Sequence, residues 1–214
     1  MNFIKIYLKD LVDNVMDKYL PFVENLSSML SPDPVQGTKA ILRLTKATLL
    51  EFESYLPMCR TFELSNSTDS FVFYDNYEKW LSGEDEMLNQ VPLTIVSVGK
   101  GNWTLTSNYW KYRSNTLYIS PGNYTIKSFC NYPFYVKLDA NSVPTIDTHI
   151  YGFDNASIQQ FYNLYDLTML RAIKSRAKAV SLPFTVDFFN LDEMIAELKD
   201  QVDSDKASAA SLMY

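Results

Sequence analysis

One histidine, two cysteines, six glycines and no surplus of positive charge are what this sequence has little of, and each shortage excludes something. A Ser-His-Asp or Cys-His site would have to use His149, which sits in the strand-like alternation Thr145-Ile146-Asp147-Thr148-His149-Ile150 with no nucleophile marked nearby. Cys59 and Cys130 lie far apart, without a CxxC, so neither a zinc site nor a disulfide framework is expected. The net charge of −6 argues against a protein whose task is to grip DNA or RNA. No long apolar run occurs. Residues 1–20 carry a charge every few positions, so neither a signal peptide nor a membrane span is expected, and the chain is expected to be made in the cytoplasm. Five N-x-S/T sequons occur, but without a secretion signal they carry no weight.

Other motif-like stretches have simpler readings. Val98-Gly99-Lys100-Gly101-Asn102 lacks the spacing and the Lys-Ser/Thr of a phosphate-binding loop and reads as a turn between strands. Ser175-Arg176-Ala177-Lys178 fits S-x-x-K without the companion elements of acyl-transfer enzymes. Glu84-Asp85-Glu86 has no EF-hand spacing and reads as a solvated loop. The basic rows Lys39-Arg43-Lys46 and Arg171-Lys174-Lys178 are short and read as solvated faces or as partners for the acidic last helix. No catalytic residue, cofactor site or metal site is assigned.

What is abundant is apolar and aromatic: 47% hydrophobic and 14% aromatic residues, enough for one sizeable core or two small ones. Apolar pairs recurring every four residues from Phe3/Ile4 to Tyr19/Leu20 predict a first helix, and residues 38–55 predict a second. Residues 61–153 predict five to seven short antiparallel strands, a small sandwich or barrel. Within them, Ser120-Pro121-Gly122-Asn123 predicts a type II turn closing a hairpin, with Leu117, Ile119, Tyr124 and Ile126 on one buried face. Such a turn twists the wrong way for a tight two-residue hairpin, so a longer loop is also open.

From Asp154 or Asn155, a good N-cap, the helical period returns. This third helix has one apolar face of Ile158, Phe161, Tyr165, Met169, Ala172 and Ile173. A second set lies opposite, Leu164 and Leu167, continued by Arg171 and Lys174. A helix apolar on two sides is either central to a core or shared with a neighbour. A last helix to about residue 203 has an acidic back of Asp192, Glu193, Glu197, Asp200 and Asp203. A tail over 204–214 ends in Leu212-Met213-Tyr214 and is expected to order only on a partner. The expected fold is α+β: an antiparallel β-module (61–153) inserted in a bundle of two N-terminal (1–60) and two C-terminal helices (154–203).

The run Trp110-Lys111-Tyr112-Arg113, Thr116-Leu117-Tyr118-Ile119 and Gly122-Asn123-Tyr124-Thr125-Ile126, then an amphipathic helix, Leu182-Pro183-Phe184 and an acidic closing helix, resembles virion proteins of tailed bacteriophages. These build the neck between portal and tail as head–tail connector, adaptor or ring subunits. The resemblance covers the second half of the chain, and the N-terminal helices only in general pattern. It implies a virion structural protein with no catalytic residues, forming a ring, often of twelve copies, that docks to portal-like and tail-like partners. DNA would meet it only in passing through the lumen, where net negative charge would favour sliding. Subunit-contact candidates are Leu164, Leu167, Arg171, Lys174, Leu212, Met213 and Tyr214. A baseplate or tail subunit is a related reading. Two other classes stay open: a glycan- or peptide-binding module using Tyr109, Trp110 and Tyr112, and a hydrolase using His149.

Overall fold

A computed structural model describes residues 4–21, 23–73, 91–179 and 188–212. The fold is mixed α+β, helices with antiparallel sheets, as the sequence predicts. It divides into two compact units: Met1–Leu56 with Tyr132–Tyr214, and Pro57–Asn131. The second is an insertion in the first. Its end lies at Asn131 rather than at residue 153, because the strands that follow share a sheet with residues 4–7.

In the helical unit, β1 (Ile4–Tyr7) leads into α1 (Leu8–Tyr19). Residues 4–7 were expected to open the first helix. They instead pair antiparallel with β10 (His149–Phe153), which also pairs with β9 (Phe134–Tyr135). Four residues of apolar alternation satisfy a strand as well as a helical turn, and a partner some 145 positions away leaves no local signal. Next come α2 (Leu26–Leu30) and α3 (Pro34–Tyr55). Asn25 caps α2 by accepting from the Ser27 N–H at 2.9 Å, and Asp33 caps α3 by accepting from the Val35 N–H at 2.8 Å, with Pro34 as the first helical residue.

Gly37 lets α2 and α3 touch. A Cβ added there would come within 2.8 Å of the Ser27 carbonyl carbon and Cβ, and closer still to the carbonyl oxygen. Backbone atoms cannot yield as a flexible side-chain tip can. Gly37→Ala is therefore expected to cost roughly 1–3 kcal/mol, although alanine is the better helix former. Urea unfolding followed by circular dichroism checks this; an unchanged or raised midpoint would show that the two helices separate freely.

After β10 the chain enters α4 (Ser157–Ala179), capped by Asp154, whose Oδ1 accepts from the Ser157 N–H at 2.7 Å. Buried residues surround α4: Phe161, Leu164, Tyr165, Leu167, Met169, Leu170 and Ile173. Helices α1, α2, α3 and the last helix, α5 (Phe188–Leu212), all pack on it. Helix α5 does not stop near residue 203. Val202, Asp205 and Ala209 are buried, Asn163 Nδ2 donates to Asp205 Oδ2 at 3.0 Å, and Lys206 pairs with Glu51 at 2.7 Å. The stretch that reads as a polar tail is thus helical through Leu212. Its small residues are what close packing needs.

The inserted unit is all β. One sheet has the order β2-β8-β4-β5, formed by β2 (Met58–Asn66), β8 (Gly122–Cys130), β4 (Thr94–Lys100) and β5 (Trp103–Thr104). The other is β3-β7-β6, formed by β3 (Ser70–Val72), β7 (Thr116–Ile119) and β6 (Trp110–Arg113). The expected hairpin across Ser120–Asn123 does not form, since β7 and β8 belong to different sheets. The tight hairpin is β6–β7, turning through Ser114 and Asn115 with φ of 50° and 61°, the positive pair that a strand-matched two-residue turn needs. The segment 120–121 carries the chain from one sheet to the other, and Tyr124 Oη fastens it by donating to the Ser120 carbonyl at 2.8 Å. The expected facing still holds: Leu117, Ile119, Tyr124 and Ile126 are all buried in one core with Phe62, Phe73 and Val98. Alternation set which side chains point inward. It could not set which strand lies alongside.

Candidate functional site

The sequence-predicted contact residues separate. Leu164 and Leu167 are each 2% exposed inside the helical unit, so they are core residues of the single chain and not a face held for a neighbour. Of the two readings of a helix apolar on both sides, the central helix is the one found. Arg171 is exposed, and Lys174 forms an ion pair with Asp192 of α5. Leu212 is the last residue of α5, while Met213 and Tyr214 lie outside the described residues, as does the acidic run 84–86.

His149 lies on β10 between the rings of Tyr7 and Tyr135, at centroid distances of 5.8 and 5.1 Å. Burial, and next the charge of Lys5, hold its imidazole below the usual range. Among the aromatic candidates, Trp110 and Tyr112 pack against the β-unit's core, and Tyr112 Oη donates to the Pro92 carbonyl at 2.7 Å. Only Tyr109 stands out into solvent, so the three rings do not form one platform. Gly99 and Lys100 end β4, paired with Thr104 and Trp103, and Gly101-Asn102 makes the β4–β5 turn, with Gly101 at φ 58°. Cys59 is half-buried and Cys130 buried.

Two arrangements were not singled out from sequence. One is Asp166, in the middle of α4 and fully buried. Asn14 Nδ2 donates to both of its oxygens, at 3.0 and 3.1 Å, Tyr19 Oη donates at 3.3 Å, and Lys18 Nζ lies 3.6 Å away. All three partners stand on α1, so the carboxylate fastens α1 to α4. Beside it an open groove of about 470 Å³ is lined by Asp10, Asp13, Asp17 and Tyr162 among others. Burial pushes the Asp166 carboxyl up to about 6, against the pull of Lys18, Asn14 and Tyr19. An aspartate flanked by Tyr165 and Leu167 is itself the sequence signal for such a group.

This shift has a definite sign. The folded state holds the proton more tightly than the unfolded chain, where the carboxyl titrates near 3.8. Its contribution to stability is therefore complete below that value and is lost as pH rises through about 6. From this group alone, stability is expected to fall by up to roughly 3 kcal/mol between pH 4 and pH 7. Asp166→Asn should flatten that part of the profile, read from urea midpoints across the range. Parallel profiles for the two proteins would show that the carboxyl titrates as an ordinary one.

The other arrangement is the outer face of β3-β7-β6. Val72, Tyr118, Lys111 and Arg113 are exposed there, with Tyr109 just before β6. Alternation along Trp110-Lys111-Tyr112-Arg113, apolar in and basic out, is the signal that could have found it. Elsewhere on the same unit Leu93, Val96 and Trp103 are exposed, Trp103 by 79%.

Among the described residues no group of His, Cys, Asp and Glu is placed to hold a metal ion, and no helix is long and apolar enough to cross a membrane. A scan against protein-family models finds none that matches, and no curated protein matches the sequence.

Proposed function

We propose that this chain is a structural subunit of a tailed-phage virion, one that self-associates into a ring at the head–tail junction through which the genome passes. The observation that carries the reading is the set of exposed apolar side chains on the β-unit: Val72, Tyr109 and Tyr118 on or beside β3-β7-β6, and Leu93, Val96 and Trp103 on or beside the other sheet. Exposed apolar side chains of this size on so small a unit offer positions for another protein to cover. The helix–β–helix order and the resemblance of the second half to neck proteins give those positions their context. The interface moves from the third helix, whose apolar faces are used within the chain, to the β-unit.

The test is the mass of the purified chain across concentration by sedimentation, followed by negative-stain imaging of any large species. The expected result is a closed ring with a central hole. A chain that stays monomeric at high concentration, and is not retained by portal-like or tail-like virion proteins, would overturn the proposal.

A further inference from the structure

The two charged surfaces of this chain are complementary. On the β-unit, Lys111 and Arg113 project from the outer face of β6, with Tyr118 beside Lys111 across the ladder to β7. On the helical unit, Glu193, Glu197 and Asp200 are exposed on α5. Their spacing of four and three residues stacks them in one stripe, about 180° around the helix from the buried Leu191, Leu198 and Val202. Neither set forms an ion pair among the described residues; Lys174 instead takes Asp192, on the flank of the stripe.

We infer that the acidic stripe of α5 in one copy docks on the basic, aromatic face of β3-β7-β6 in the next copy. The spacings agree. Residues two apart on a strand lie ~7 Å apart, and side chains one helical turn apart lie ~6 Å apart, so Lys111 and Arg113 can each meet a carboxylate of neighbouring turns. Arg113 supplies the planar fork that suits a carboxylate, and Tyr118 with Val72 supplies apolar area beside the charges. The occupant is a second copy rather than a nucleic acid, because a chain of net charge −6 with two cations on this face has little pull on a polyanion, whereas it carries the matching acids itself. Donor and acceptor surfaces are different parts of the chain, so each copy gives one and receives one. Such head-to-tail contacts close into rings when the rotation permits, and otherwise extend as filaments.

This contact rests on the self-association proposed above and specifies its geometry. The experiment uses the full chain with K111E/R113E, with E193K/E197K, and with the two variants mixed. Each variant alone opposes like charges at every contact and should associate at least tenfold more weakly than the parent in sedimentation at low salt. Mixed in equal amounts, the reversed sheet of one faces the reversed helix of the other, and the parent surfaces also match. Assembly should return, as alternating copies. Zero-length crosslinking of the parent should join Lys111 to Glu193 or Glu197 between isotopically distinct chains. A parent that assembles while both variants assemble equally well, or a mixture that stays dissociated, overturns this contact and leaves the self-association reading standing. A parent that never associates overturns both. Binding of a single-stranded oligonucleotide that needs Lys111 and Arg113, with no intermolecular crosslink, assigns the face to nucleic acid and overturns the contact as well.

Discussion

Leu167→Asp is expected to leave the helical unit unfolded at 25 °C, with loss of most of the helical circular dichroism signal and rapid proteolysis. Leu167 is 2% exposed on a helix against which four other helices pack, and Leu164 is likewise 2% exposed. An aspartate there must either lose its solvation or take up a proton, and it also removes a packed side chain. Together these effects amount to about 5 kcal/mol or more, against a whole-domain stability of about 5–15 kcal/mol. Read from sequence alone, the same substitution is an assembly defect with the monomer intact, so the experiment separates two structures and not merely two magnitudes. Retention of a folded, soluble, non-associating monomer would mean that α4 has a free face after all.

Phe52→Ala is the second large effect. Phe52 on α3 is fully buried, its ring 5.3 Å from Tyr55, 5.6 Å from Tyr132, 6.0 Å from Phe153 and 5.4 Å from Phe161, centroid to centroid. These partners come from α3, the loop after the β-unit, β10 and α4, so one ring joins parts of the chain more than a hundred residues apart. Removing it deletes the transfer free energy of a phenyl group and leaves a cavity whose walls belong to several elements and cannot collapse together. The expected loss is about 3–5 kcal/mol, with a thermal midpoint lower by roughly 10 °C. Trp103→Ala, at an exposed position, should change stability by less than about 0.5 kcal/mol and serves as the control. A Phe52→Ala midpoint within a few degrees of the parent would mean that the cluster repacks.

The pairing errors share one origin. At β1, four residues fit both periods, and only the edge of β10 decides between them. At 120–123, the proline and glycine correctly mark a reversal of the chain, but a reversal can return to the same sheet or pass to the facing one, and both bury the same side chains. Asp166 shows the complementary limit. Its position in an apolar stretch is visible in the sequence, yet Asn14, Lys18 and Tyr19 lie about 150 residues away and become its partners only when α1 packs on α4. The α5 terminus reads as a loose tail because serine and alanine carry little hydrophobic signal. It is the fit of small side chains against α3 and α4 that holds it.

What the sequence by itself determined is what depends on neighbours along the chain. That covers the α+β class, the cap at Asp154, the insertion of a β-rich stretch between helical ones, and the inward facing of Leu117, Ile119, Tyr124 and Ile126. Capping, turn chemistry and side-chain period are local, with ranges of a few residues. Only the tertiary structure decided the sheet memberships, the burial of both sides of α4, the end of the inserted unit at Asn131 and the fastening of Asp166. Those are set by contacts between segments far apart in the chain. Their free energy comes from excluding water between two surfaces, and either surface alone is compatible with several partners.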